Sequence, residues 1–186
     1  MTHTSVRAGA LALLTLLAVA CGSGAPQSAA PSPTAAPATF TDYDAAVCAA
    51  FTSLIRAYGN PDTNSASAMR KTLDDAVAAG DKAAAERAST AMLGELEAGR
   101  RLAATAARWQ PGAATAVSLD RLLLAFEAWT SAKLALAANP SAIDPQKAFE
   151  RAGGAEAWTA TLQGVATTPV PSGASPVPCR AFSGQL

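Results

Sequence analysis

Histidine is nearly missing from this chain: the single one, His3, sits in the first few residues. His3 falls within residues 1–20, which read as a cleaved leader, so the mature chain is expected to have no imidazole and a great deal of chemistry is excluded. A Ser-His-Asp or Cys-His nucleophile, a Glu-x-x-His di-iron site, a His-built zinc site and a His-ligated haem all need an imidazole. Other catalytic signatures are missing too, with no G-x-S-x-G, P-loop or G-x-G-x-x-G. The residues three before Lys71, Lys82, Lys133 and Lys147 are Ala68, Ala79, Thr130 and Asp144, so S-x-x-K is absent as well. No charge of one sign dominates, because 14 Lys and Arg face 14 Asp and Glu. Nucleic-acid binding therefore has no electrostatic basis. Alternating strand patterns and Asn-Gly or Asp-Gly hairpin turns do not occur. The most apolar internal segment, VSLDRLLLAFEAWTSAKLAL, contains Asp120, Arg121, Glu127 and Lys133, so it does not read as a membrane span.

The N-terminus carries the first positive signal. MTHTSVR has one firm positive charge, Arg7, and Ala8 to Ala20 is uncharged and mostly Ala and Leu. This matches the apolar region of a secretory signal and falls short of the roughly 20 residues that span a bilayer. Ala18-Val19-Ala20 is an A-x-A site, at which general signal peptidase would cut between Ala20 and Cys21 and release a secreted protein.

The same residues, followed by Cys21, resemble the lipobox of bacterial lipoproteins. In that family small residues precede a cysteine that is diacylated on sulphur before cleavage. The resemblance covers residues 1–21 and says nothing of the rest of the chain. It implies diacylglycerol on Cys21, often with a third acyl chain such as palmitate on the new amine, and a place on the extracytoplasmic face of the cell membrane. Each buried methylene is worth about 0.8 kcal/mol, so two or three chains hold durably where one does not. Of the three cysteines, lipid on Cys21 leaves an even pair, Cys48 and Cys179. In an oxidising compartment their disulfide is the default. It would close a loop of more than 100 residues, which limits its stabilisation to about 4–5 kcal/mol. Two separate thiols are the alternative.

Residues 22–39, GSGAPQSAAPSPTAAPAT, have no charge, aromatic ring or large aliphatic side chain. Such a stretch cannot bury enough apolar surface to offset its ordering entropy, so the composition predicts a disordered, extended spacer. The C-terminal stretch 167–186 is again rich in Pro and Ser and reads as an extended tail that Cys179 could staple to the domain.

Between them, residues 40–166 are rich in Ala and patterned at helical spacing. Five segments follow. The first, about 42–58, takes Thr41 and Asp44 as a capping box and stops at Gly59-Asn60-Pro61. The second, about 65–79, ends at Gly80. The third, about 81–109, either begins anew there or continues the second with a kink. The fourth, about 114–138, is apolar over a broad face, including Val117 and Leu124, and reads as the central helix. The fifth opens with Asp144 as N-cap and Pro145 at N1, and Gly153-Gly154 interrupt it. Short connections predict antiparallel neighbours. The fold class is all-α: an up-and-down bundle of four to five helices, disulfide-stapled, between a disordered leader and linker and a Pro-rich tail.

The remaining polar residues read mainly as surface. Asn60, Asp62 and Asn64 imitate the start of a calcium loop, but Ser65 replaces its Gly and Lys71 its Glu, so no metal site is expected. Arg70–Asp74, Lys71–Asp75, Lys82–Glu86 and Glu97–Arg101 have the i to i+4 spacing of exposed helix pairs. Trp109, Trp129 and Trp158 read as core or interface anchors. The expected protein is a membrane-anchored bacterial lipoprotein whose non-catalytic helical domain binds or scaffolds an envelope partner, without cofactor. The alternative is a carrier or sensor that holds a small hydrophobic ligand between helices, lined by Phe126, Trp129 and Phe149.

Overall fold

Thr39 starts the first helix, and it does so with its side chain. The computed structural model describes residues 38–60 and 65–175, all within the unit Ala36–Leu186. In it the Thr39 hydroxyl accepts from the Asp42 amide at 3.2 Å, and the Thr39 amide donates to the Asp42 carboxylate at 3.1 Å. The T-x-x-D pattern occurs twice, two residues apart, and the earlier copy is used, so α1 spans Phe40–Ala57 rather than starting at 42. Burial decides between the copies. The earlier start turns Phe40 inward, 8 % exposed, against Trp109 at a ring separation of 5.4 Å.

After α1 a two-residue ladder pairs β1, Gly59–Asn60, with β2, Ser65–Ala66, antiparallel. No strand was expected from the sequence, because two residues are too few to show an alternation. Ser67 then caps α2, Ala68–Ala78, by accepting from the Arg70 amide. Its hydroxyl donates at 2.6 Å to the carbonyl of Ala57, which ties the start of α2 to the end of α1.

The second and third segments are separate helices. Gly80 adopts φ +67, its amide bonds the Val77 carbonyl, and the Asp81 amide reaches back to Ala76. That pair of bonds is a Schellman ending, which turns the chain instead of kinking it. α3 then runs Lys82–Ala106 with Asp81 as its cap. A 3-10 turn, Gln110–Gly112, leads into α4, Ala113–Ala138. Asp144 and Pro145 open α5, Pro145–Arg151, as the sequence predicts, and Gly153 at φ +75 separates it from α6, Gly154–Thr167.

The described residues are all-α apart from the small ladder. α1 packs on α3, α3 on α4, and α4 on α6, with α2 laid against α3 and α4 and α5 against α4. Leu54, Leu73, Met92, Leu96, Leu119, Leu122 and Leu123 are fully buried between them. Each such side chain is worth about 1.5–3 kcal/mol relative to exposure. α4 touches the most neighbours, in keeping with its central reading, yet Val117 and Leu124 point outward at 44 % and 38 % exposed. Apolar residues spread around nearly all of α4, so its sequence does not reveal which stripe stays uncovered.

Candidate functional site

Three places gather side chains. The first lies where α1 ends. Tyr58 caps α1, and its ring centroid is 4.3 Å from that of Phe126 and 5.1 Å from that of Trp129, which sit one turn apart on α4. Phe149 of α5 closes on Phe126 at 4.9 Å. Because Ser67 fixes the first turn of α2 against α1, Arg70 falls over this cluster. Its guanidinium is 4.2 Å from the Tyr58 ring centre and 5.3 Å from that of Trp129. Asp74 pairs with Arg70 at 3.7 Å and with Lys133 at 2.7 Å. Burial pushes the Tyr58 hydroxyl above its ordinary pKa, while the nearby Arg70 charge pulls the other way. The rings meet one another, so the cluster is an aromatic hub under a charged cover.

The second place is a groove of about 540 Å³ between α3 and α4. Ala103, Ala104, Ala107, Ala116 and Val117 form its apolar lining. Its charged rim is internally paired. Arg101 meets Glu97 at 2.7 Å, and Arg100 donates to Asp120 at 2.9 Å and to Glu127 at 3.5 Å. Burial disfavours the Arg100 charge, but Asp120 and Glu127 outweigh it and raise its pKa. Burial also raises the Glu127 carboxyl, although Arg100 opposes this.

The third place is the end of the domain where the described chain begins. Phe40, Tyr43 and Trp109 stack there, with Tyr43 and Trp109 at 4.9 Å. The Thr168 hydroxyl, just past α6, donates at 2.7 Å to Gly164 and lies 3.0 Å from the Thr115 hydroxyl of α4.

Of the residues singled out from sequence, Phe126, Trp129 and Phe149 come together in the first place. Phe126 and Trp129 are 4 % and 6 % exposed, and Phe149 is half-buried. Cys48 is half-buried on α1. Ala20, Cys21, Cys179 and the loop residues Asp62 and Asn64 lie outside the described residues. The sequence reading missed Tyr58, Arg70 and Lys133 in the hub, and Arg100 with Asp120 and Glu127 in the groove. The i to i+4 pattern does find Arg70–Asp74, Lys82–Glu86 and Glu97–Arg101. It cannot find Lys133–Asp74 or Arg100–Asp120, which join different helices.

Among the described residues no group of three or more His, Cys, Asp or Glu could hold a metal ion, and no helix is long and apolar enough to cross a membrane. No protein-family model matches this chain, and no curated protein or solved structure matches it.

Proposed function

We propose that the protein is a bacterial lipoprotein held to the extracytoplasmic face of the cell membrane by lipid on Cys21. Its helical domain binds or scaffolds an envelope partner without catalysis. The observation that carries this reading is the uncharged run Ala8 to Ala20 ending in Ala18-Val19-Ala20-Cys21. The connection 22–39 acts as the spacer.

The proposed domain is an up-and-down bundle closed by a Cys48–Cys179 disulfide. Supporting the closure, the Thr168 hydroxyl lies 3.4 Å from that of Tyr43, five residues before Cys48 on α1. Ala174 packs against the core near the last described residue, Ser175. From there to Cys179 the chain can reach about 13 Å.

The carrier reading draws its support from the meeting of Phe126, Trp129 and Phe149. A ligand would have to part rings that are already in contact, which disfavours it. Tryptophan emission titrated with fatty acids and hydrophobic metabolites separates the readings, since a carrier gives saturable change and a scaffold gives none.

The anchor is tested by growing an expressing bacterium with an alkyne fatty acid. The wild type should take up label and sediment with membranes, and Cys21→Ser should do neither. Equal labelling of both would overturn the assignment.

A further inference from the structure

We infer that the end of the domain carrying Trp109, Pro111 and Val170 rests against the lipid surface itself; this builds on the lipid attachment proposed above. The chain arriving from Cys21 enters the domain here, because Ala38 and Thr39 lead directly into Phe40. Fully extended, the connection reaches about 60 Å, so a lipid on Cys21 keeps this end, where the tether joins, within that distance of the membrane.

The same end gathers the C-terminus of α3, the 3-10 turn, the first turns of α4 and the exit of α6. The ring contacts of Trp109 with Phe40 and Tyr43, and the meeting of Thr115 with Thr168, fix that arrangement. Phe40 and Tyr43 are buried beneath this end, and Trp109 is the ring that reaches its surface. Val170, the most exposed large hydrophobic side chain among the described residues at 50 %, and the exposed Pro169 lie here, just past α6. Pro111 is exposed and Trp109 half-buried beside them. Trp, with an apolar body and a polar tip, favours the headgroup level of a bilayer.

Charge also fits a lipid surface, and specifically a neutral contact. The charged groups at this end are Asp42, Asp44 and Arg108, and Arg108 acts on Asp42 across the gap between α3 and α1. No lysine accompanies them, so the contact does not depend on anionic lipid. Such a patch is too small to recruit the protein from solution. Once lipid on Cys21 makes the encounter intramolecular, the effective concentration rises to about the millimolar range and a weak contact is populated.

The test uses the mature chain beginning at Cys21, coupled through that thiol to a maleimide lipid, with single coupling verified by mass. This supplies the anchor whether or not the cell does, so failure here is separate from failure of the lipidation assignment, which the mass of the native protein reads. The coupled protein is placed in phosphatidylcholine vesicles with brominated acyl chains, and tryptophan emission is recorded. Trp109 should be quenched, and Trp109→Phe should remove at least half of the total quenching, because Trp129 is core and Trp158 lies two turns or more up α6. The quenching should persist in 0.5 M salt. Val170→Asp, at an exposed position, should weaken it with the fold intact and covers the case in which Trp109→Phe does not fold. Equal quenching in wild type and both variants, or none in any, would overturn the inference.

Discussion

The hydroxyls of Tyr43 and Thr168 lie 3.4 Å apart although 125 residues separate them in the chain. Thr168 also meets Thr115 at 3.0 Å, so one short side chain joins the first helix, the start of α4 and the exit of α6. Removing either hydroxyl of the Tyr43 pair should cost about 0.5–1.5 kcal/mol. Tyr43→Phe and Thr168→Val together should cost less than their sum, because they share the contact. Chemical denaturation of the four proteins measures the coupling; strict additivity would mean the hydroxyls do not interact.

Ser89 is fully buried on α3, and among the described residues its hydroxyl has no hydrogen-bond partner. An orphaned buried hydroxyl is a liability that alanine removes without changing the shape of the site. Ser89→Ala should therefore stabilise the fold by about 1 kcal/mol and raise the melting temperature by a few degrees. A lower melting temperature would show that the hydroxyl is satisfied.

Two glycines should respond to alanine in opposite directions. Gly94 lies inside α3 with open space where a Cβ would stand, so Gly94→Ala should stabilise by about 0.5–1 kcal/mol. A Cβ at Gly112 would run into the Tyr43 ring and Trp109, so Gly112→Ala should destabilise by about 1–3 kcal/mol. Paired thermal melts test both, and equal shifts would contradict the packing at the aromatic end.

Two carboxylates give opposite pH dependence. Burial raises the Glu127 pKa on folding, so its contribution is present at low pH and is lost as pH rises through the folded value. The stability of the wild type relative to Glu127→Gln should thus improve as pH falls from 7 towards 4. The Thr39 hydroxyl and amide hold Asp42 below the usual carboxylate range. Its contribution is present above the unfolded value and is lost as pH falls through the folded one, so the advantage of the wild type over Asp42→Asn should shrink in acid. Denaturation curves from pH 7 to 4 decide the first sign, and curves continued below the ordinary carboxylate pKa decide the second.

Helix content and most helix ends are legible in the sequence because propensity, caps and apolar spacing agree there. Asp81, Asp144 with Pro145, Gly80 and Gly153 all mark real boundaries. The start of α1 is ambiguous, since Thr39 and Thr41 each head a T-x-x-D pattern and only the burial of Phe40 against Trp109, 69 residues on, separates them. The outward turn of Val117 and Leu124 depends on which neighbours α4 finds, as does the meeting of Arg100 with Asp120 and Glu127. Helical spacing brings Phe126 and Trp129 together on α4, whereas the approach of Phe149 and Tyr58 depends on how α5 and the end of α1 pack against it.

The most direct test of the account is the intact mass of the protein extracted from membranes, alkylated with and without prior reduction. The account expects cleavage between Ala20 and Cys21, a mass increase of two or three acyl chains, and two thiols, those of Cys48 and Cys179, that alkylate only after reduction. An unlipidated species cut at the same place would contradict the anchor, and alkylation of Cys48 and Cys179 without reductant would contradict the closure.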